Sequence, residues 1–197
     1  MKVVNSKEMF DLEKQAIASG ISERKMMKNA AKSIVKHLEN SIRLNLINEI
    51  AILVGKGNNG TDAIMVGALL SHKYNVKIFE ILKRSEDISI TLKREEPEDT
   101  NIQLYEFNSN IINTIKLNIQ KENLIIDGIL GIGINRKLDD NLSKITSHIN
   151  SLNSYICSVD IPSGINSDDG TIDKNSIRAT ETLMSVSYTH LTLPTKA

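Results

Sequence analysis

The chain opens with apolar side chains at the spacing of two amphipathic helices. Asn5, followed three residues later by Glu8, forms a capping-box pattern that predicts the start of the first helix. Gly20 interrupts the helical pattern, and Ser22 is placed to cap the second helix. The apolar positions that recur on the inner faces are Met9, Leu12, Ala16, Met27, Ala30, Ala31, Ile34 and Leu38. Two helices are therefore predicted before the first strand.

Beyond residue 47 the pattern alternates between short apolar runs and helical periods. The runs have the length and apolar content of buried strands, and they occupy residues 49–55, 75–82, 102–107, 123–127 and 154–160. Segments with helical character lie between them, at residues 62–74, 109–121 and 139–152, and the charged segment 83–101 is predicted to be a solvated helix and loop. Strands that alternate with helices form parallel βαβ units. The pattern therefore predicts an α/β fold, with one mostly parallel sheet and helices on both faces.

The composition is that of one soluble globular domain. The 197 residues are 40% hydrophobic and 24% charged, and lysine plus arginine equals aspartate plus glutamate at 24 each, so no strong surface field points to nucleic acid or a membrane. The single cysteine, Cys157, excludes an intrachain disulfide and is expected to be a buried thiol rather than a nucleophile. Because no leader pattern follows Met1 and no long apolar run occurs, we expect a cytoplasmic protein.

Three of the predicted strands end in turns that combine glycine with polar side chains. The first strand runs into GKGNNGTD, the fourth ends at Asp127 before GILGIGIN, and the fifth ends at Asp160 before IPSGI. Ligands of open α/β sheets bind outside the carboxyl ends of the strands, and glycine lets the backbone approach a ligand closely. The three turns therefore predict one binding site at this edge of the sheet.

The first of these turns matches a dinucleotide fingerprint. Gly55, Gly57 and Gly60 give G-x-G-x-x-G, and Glu80 lies at about the distance at which that fingerprint has its acidic residue. An NAD(P)-dependent oxidoreductase is therefore one interpretation. Asp62 weakens it, because a carboxylate at a helix N-terminus repels phosphate unless a cation intervenes.

Oxygen-bearing side chains at the same turns support a cation site. Asn59, Asp127 and Ser163 would converge as oxygen ligands, which suit a hard cation such as potassium or magnesium. The alternative is that Asn58 and Asn59 only tolerate turn geometry and that Asp127 caps a helix. The residue types leave both interpretations open.

Three motifs, GKGNNGTD, DGILGIGI and VDIPSGINSDDG, occur in this order and resemble those of the YjeF N-terminal domain family, the NAD(P)H-hydrate epimerases. The stretch SKEMFDLEKQAIASGISERKMMKNAA also resembles the opening helices of that family, so the resemblance covers about residues 1–184. It implies a Rossmann-like three-layer α/β/α sandwich. It also implies an isomerase that interconverts the R and S epimers of hydrated NADH and NADPH, as part of nicotinamide nucleotide repair.

The resemblance further implies partners and roles for particular residues. The partners are an ADP- or ATP-dependent NAD(P)H-hydrate dehydratase, fused to this domain in many bacteria, and a second copy of the chain in a homodimer. One potassium ion per subunit is implied at Asn59, Asp127 and Ser163. The implied substrate-binding residues are Asn58, Asn59, Gly60, Thr61, Asp62, Gly131, Ile132, Gly133, Ile134, Asn135, Arg136, Lys137 and Asp160. Asp160 is expected to be the catalytic acid or base, or to stabilise an iminium-like intermediate.

The chain departs from the usual family pattern at four positions. Thr61 and Ala63 stand where the family has glycine, and a Cβ at position 61 could obstruct phosphate or force a different turn. Ile132 stands where threonine is common, and Gly128 replaces the usual alanine. Since the cation positions are intact, the epimerase remains the favoured interpretation. A non-catalytic ligand-binding or scaffold module of the same family is the alternative.

The last residues do not fit the family pattern. The segment 186–197, VSYTHLTLPTKA, resembles translated sequencing-adapter read-through rather than native protein. We therefore expect residues 1–185 to form the YjeF N-terminal domain, truncated at its C-terminal end, followed by a non-native tail.

Overall fold

The computed structural model describes residues 6–41, 47, 49–95, 101–119, 124–132 and 137–184. In chain order, the helices and strands are α1 (Ser6–Ala18), α2 (Glu23–Ser41), β1 (Glu49–Val54), α3 (Asn58–Leu70), β2 (Asn75–Glu80), α4 (Ile88–Glu95), β3 (Ile102–Tyr105), α5 (Ile111–Asn118), β4 (Leu124–Gly128), α6 (Asp140–Ser151), β5 (Tyr155–Val159) and β6 (Glu181–Leu183). The capping residue predicted for α1, Asn5, and the segment 186–197 lie outside the described residues.

The strands form one six-stranded sheet in the order β3-β2-β1-β4-β5-β6, and every neighbouring pair is parallel. The five strands predicted from the apolar runs are all present, so the predicted parallel sheet is confirmed. The sixth strand, β6, was not predicted, because three residues are too short to show a period. The strand order reverses between β1 and β4, which places a crevice at the carboxyl ends of these two strands.

Helices cover both faces of the sheet, which confirms the predicted three-layer sandwich. Side chains that alternate along β1 enter different cores: Ile50, Ile52 and Val54 pack with α2, α3 and Ile88 of α4, whereas Ala51 and Leu53 pack with α5 and α6. This alternation is the period of two that a strand buried on both faces requires.

The boundary between α1 and α2 follows the predicted signals. Gly20 has a φ of 92°, a left-handed conformation that glycine adopts without steric cost. The hydroxyl of Ser22 accepts a hydrogen bond of 3.3 Å from the backbone N–H of Lys25, as expected of a helix cap. The inner face of α2 is buried at Ala30, Ala31, Ile34 and Leu38.

Helix α3 begins four residues before its predicted start. Gly57 is its N-cap in an extended conformation, and the N–H of Thr61 donates to the carbonyl of Gly57 at 3.2 Å. The stretch Asn58–Asp62 therefore forms helix rather than loop, and the alternative in which Asn58 and Asn59 only tolerate turn geometry is wrong. Gly60 obscured the helical pattern. It is required because a Cβ there would collide with the carbonyl oxygen of Gly55.

The cysteine lies where the sequence predicts it. Cys157 is 0% exposed in the middle of β5, and burial raises the pKa of its thiol to about 12. Among the described residues, no helix combines the length and the apolar content that crossing a bilayer demands.

Alkylation should separate this buried thiol from a reactive one. We expect iodoacetamide at pH 8 to label Cys157 at least about tenfold more slowly in the native chain than in urea, because the thiolate is the reactive form. Intact-mass measurement over time gives both rates without ambiguity, since the sequence contains one cysteine. Equal rates would contradict the buried position.

Candidate active site at the ends of β1, β4 and β5

Asp127 is a fully buried carboxylate at the crevice, with an exposed fraction of 0%. The Ser163 hydroxyl donates to its Oδ1 at 2.6 Å and the Ser163 N–H to its Oδ2 at 2.9 Å. The Ser158 hydroxyl donates to Oδ2 at 2.8 Å, and the Ile129 N–H to Oδ1 at 3.3 Å. Burial raises the pKa of the Asp127 carboxyl, and the hydrogen bonds from Ser163 oppose that rise. A cation beside this carboxylate would favour its ionised form.

Asp127 does not cap the helix that follows. Asp139 is the N-cap of α6, and its side chain accepts a hydrogen bond of 2.9 Å from the backbone N–H of Leu142. The capping alternative for Asp127 is therefore wrong.

Asn59, Ser163 and Asp127 are brought together around the backbone of Leu130. The Asn59 side-chain NH₂ donates to the Leu130 carbonyl at 2.8 Å, and the Leu130 N–H donates to the Ser163 hydroxyl at 3.0 Å. The amide oxygen Oδ1 of Asn59 is buried and has no hydrogen-bond partner. Gly131 permits this approach, because a Cβ there would lie 2.8 Å from the Asn59 Cβ. A buried carbonyl oxygen without a donor is a group that a cation would satisfy.

The donor set at this point consists entirely of oxygen. It combines one carboxylate, from Asp127, with the neutral oxygens of Asn59 and Ser163, and hard cations prefer such ligands. The described residues contain no cluster of three or more histidine, cysteine, aspartate or glutamate side chains suited to a metal. A single negative charge among neutral oxygens fits a singly charged cation better than a divalent one, because affinity follows the charge count of the ligands.

Asp160 follows β5 at the same end of the sheet. Its φ of 62° is left-handed, which is uncommon for a residue other than glycine and recurs at functional sites. Its N–H donates to the carbonyl of Leu183 in β6 at 2.9 Å. The strand β6, which the sequence pattern did not predict, therefore holds the backbone of Asp160 in place. Asp127 pairs with Ser158 in the register of β4 and β5, which brings Asp160 to the edge where the cation donors lie.

The other predicted substrate-binding residues lie at this edge or outside the described residues. Asn58 is exposed and its NH₂ donates to the Glu23 carboxylate of α2 at 3.3 Å. Asp62 is buried inside α3 rather than placed at its N-terminus, so the predicted repulsion of phosphate at the helix start does not follow from the structure. Ile132 is 38% exposed and Lys137 is exposed. The predicted residues Gly133, Ile134, Asn135 and Arg136 lie outside the described residues.

Arg84 was missed by the sequence analysis, which placed it in a solvated segment. Its Nη1 donates to the carbonyls of Gly55 at 2.6 Å and Gly57 at 3.2 Å, and its Nη2 donates to the Thr61 hydroxyl at 2.7 Å. The signal that could have found it is an arginine just after the second strand of a glycine-rich βαβ unit, where phosphate-recognising arginines occur.

Glu80 is engaged in backbone contacts at the end of β2. One carboxylate oxygen accepts from the N–H of Arg84 at 2.7 Å and the other from the N–H of Phe107 at 3.0 Å. Both oxygens therefore order the loops around them, which removes support from the interpretation of Glu80 as the acidic partner of a dinucleotide fingerprint.

A cavity of about 1210 Å³ opens beside this edge, between α6 and the segment 164–175. Leu130, which hydrogen-bonds to Asn59 and Ser163, lines it together with Gly164, which follows Ser163 in the chain. Its basic lining residues are Lys116, Lys137, Lys144, Lys174 and His148. Burial and the nearby Lys116 lower the pKa of His148, so this histidine is neutral near pH 7. Asp140, Asp169 and Asp173 also line the cavity, so its four lysines exceed the carboxylates by only one charge.

Comparison with protein-family profiles matches residues 23–189 to the YjeF-related protein N-terminus family. An NAD(P)H-hydrate epimerase of Oenococcus oeni is 30% identical over 96% of this chain and 87% of its own length. A bifunctional NAD(P)H-hydrate repair enzyme Nnr of Dictyoglomus turgidum is 35% identical over 91% of this chain, which spans only 34% of that protein. The crystal structure of yeast ynu0 superposes with a TM-score of 0.75 at 22% identity, over 92% of this chain and 79% of the yeast chain, and supports the fold. The chain belongs to the YjeF-related N-terminal domain family.

Proposed function

We propose that this chain epimerises the R and S forms of hydrated NADH and NADPH, as part of nicotinamide nucleotide repair. The relatives that align over most of both chains support this activity: besides the Oenococcus oeni protein, an NAD(P)H-hydrate epimerase of Anaerococcus prevotii is 31% identical over 86% of this chain and 78% of its own length. The observation that carries the proposal is the buried network of Asn59, Leu130, Ser163 and Asp127 at the same strand ends as Asp160.

The proposed reaction inverts the carbon that bears the hydroxyl group. The C–O bond breaks as the ring nitrogen donates its lone pair, and the hydroxyl leaves as water after taking a proton. Water then adds to the opposite face of the iminium-like ring and loses a proton, so the sequence involves no oxidation. We assign the proton transfers, or the stabilisation of the cationic ring, to the Asp160 carboxylate.

We further propose one potassium ion per subunit, held by Asn59, Asp127 and Ser163. When bound, this ion would supply positive charge beside a substrate that carries phosphates. Asp127 would hold the ion through its buried carboxylate, and the Asn59 Oδ1 would gain the partner that it lacks. Ser163 orients the carboxylate through its hydroxyl and its N–H.

The proposed substrate contacts are those of Asn58–Asp62, of Gly131–Lys137 and of Asp160. The cavity beside them, in which four lysines face three aspartates, has room for the phosphate-bearing part of the molecule. We also propose a cytoplasmic location, a homodimer, and cooperation with an NAD(P)H-hydrate dehydratase. The bifunctional relatives are named as repair enzymes and extend well beyond the length matched by this chain.

An epimerisation assay tests the proposed activity. Purified R-form NADPH hydrate is incubated with the chain, and chromatography follows the approach to the epimer mixture in potassium buffer. Faster equilibration than in the protein-free sample supports the proposal. A folded chain, verified by circular dichroism, that leaves the uncatalysed rate unchanged would favour the non-catalytic binding module.

Thermal unfolding tests the cation site independently of catalysis. We expect potassium chloride to raise the Tm above that in sodium chloride of equal ionic strength by about 3 to 6 °C, the effect of ~1 to 2 kcal/mol of binding free energy. Ser163→Ala should abolish this difference. Ser158→Ala is the matched control, because Ser158 is equally buried and also donates to Asp127 but is no proposed ligand. It should lower the Tm in both salts and keep the potassium effect, and loss of the effect in both variants would argue against the assigned ligands.

A further inference from the structure

Arg84 lies behind the glycine turn, defined as residues 55–61. Its guanidinium binds three oxygens of this turn: the carbonyls of Gly55 and Gly57 and the hydroxyl of Thr61. These acceptors come from both the end of β1 and the first turn of α3. One planar side chain therefore fixes the passage from strand to helix.

These contacts set the direction of two peptide units. In a trans peptide the C=O and the following N–H point in opposite directions. Because the carbonyls of Gly55 and Gly57 face Arg84, the N–H groups of Lys56 and Asn58 face away from it. The N–H of Asn58 is one of the donors that lack a partner within the helix at the start of α3, and such donors bind anions.

The packing of the turn depends on the guanidinium. A Cβ at Gly60 would collide with the Gly55 carbonyl oxygen and would lie 2.8 Å from Nη1 of Arg84. The arginine thus occupies the space that a larger residue at position 60 would need. Burial lowers the pKa of the guanidinium, and the nearby carboxylates of Glu80 and Glu86 favour its charged form. An arginine guanidinium is effectively always protonated in proteins, so Arg84 is a cation.

Thr61 takes part in this arrangement rather than obstructing it. Its side chain is half-buried, and its hydroxyl accepts from Nη2, so the threonine that replaces the usual family glycine gives Arg84 a third acceptor. The turn keeps a regular helical start at this position. The turn therefore accommodates threonine in place of the family glycine, because the Thr61 hydroxyl forms a hydrogen bond with Arg84.

We infer that Arg84 is a positioning residue for substrate binding: it orients the backbone donors of the glycine turn without touching the reacting carbon, and Thr61 is its side-chain partner. The inference rests on the proposed function, because the turn is where that substrate would bind. It predicts a change in KM rather than in kcat, because the oriented N–H groups would bind the substrate without taking part in the bond changes.

Kinetics and binding of matched variants test this role. Arg84→Lys cannot form the planar fork, and we expect it to raise KM about tenfold with kcat within about twofold. Thr61→Val keeps the shape but loses the acceptor, and should raise KM about threefold. Arg94→Lys is the control, because the Arg94 side chain is exposed and forms its ion pair with Glu86 away from the glycine turn, so its KM should not change.

The same variants are titrated with NADP⁺ by calorimetry, which requires no turnover, and their folding is checked by thermal unfolding. Parallel losses of NADP⁺ affinity in Arg84→Lys and Thr61→Val support the inference even if the wild-type chain fails to epimerise, an outcome that would overturn the proposed function alone. A lower Tm with unchanged KM and unchanged NADP⁺ affinity in both variants would reduce Arg84 to a structural role. A fall in kcat at constant KM would also overturn the inference.

Discussion

Replacing Asp160 with asparagine should slow the catalysed epimerisation by about 100- to 10,000-fold, the range that removal of a positioned acid or base produces. Asparagine keeps the shape of the side chain and tolerates the left-handed φ of 62°, and the backbone hydrogen bond to Leu183 does not involve the side chain. The amide cannot exchange a proton as the carboxyl does. Single-turnover chromatography of the two epimers, with enzyme in excess, measures the loss directly.

Substitution by glycine separates chemistry from backbone strain at the same position. Asp160→Gly should remove activity as fully as asparagine does, while the Tm stays the same or rises, because glycine adopts this conformation without steric cost. Asn153→Gly is the matched control, since Asn153 also has a left-handed φ, of 51°, but lies in the loop before β5. The Asn153→Gly variant should keep full activity. An Asp160→Asn variant with more than about a tenth of the wild-type rate would remove the carboxylate from the mechanism.

The fold was predictable because its central strands β1, β4 and β5 are almost entirely buried. Apolar runs such as ILVG and LIID are typical of strands that are covered on both faces. Because these runs alternate with helices along the chain, the sequence predicts a parallel sheet. Short edge elements lack this signal: β6 has three residues and is recognised only through its pairing with β5. The start of α3 was misplaced because Gly60 has a low helix propensity, which is overridden here by close packing against Gly55 and Arg84.

The candidate site was predictable in its side chains but not in its backbone. Strand ends of one parallel sheet must meet at one edge, so Asn59, Asp127 and Ser163 could be placed together from chain order alone. The group that connects them is the peptide of Leu130, whose N–H and C=O bind Ser163 and Asn59. Almost any residue type can form a backbone contact of this kind, so the sequence does not reveal it. Arg84 was missed for a related reason, because two of its three acceptors are carbonyls.

Two of the departures from the family pattern lie against each other in the structure. A Cβ at Gly128 would overlap the Cβ of Ala63 and would lie 3.1 Å from the carbonyl oxygen of Asn59. The family pattern has the two sizes reversed, with glycine at position 63 and alanine at position 128. This chain therefore carries the methyl group on α3, at position 63, where the family pattern carries it on β4, at position 128. In both arrangements one methyl group fills the space between strand and helix.

Restoring only one side of this exchange should be costly. We expect Gly128→Ala to lower the free energy of unfolding by about 2 to 3 kcal/mol, because the contact is with a neighbouring Cβ and with backbone that cannot rotate away. Ala63→Gly alone should cost about 1 kcal/mol, as glycine does inside a helix. The double variant should be more stable than Gly128→Ala alone, with a coupling of ~1 to 2 kcal/mol by urea denaturation.

Gly67→Ala provides the control for that coupling. Gly67 lies in the same helix, and a Cβ there would come within 2.5 Å of the Ile52 Cδ1, away from Gly128. Ala63→Gly should not rescue it, since the two sites share no overlapping atoms. Additive losses in the Gly128 pair would mean that the strand and helix relax independently of the methyl exchange. Coupling confined to that pair would instead show that one gap between β4 and α3 holds a single methyl group, at position 63 or at position 128.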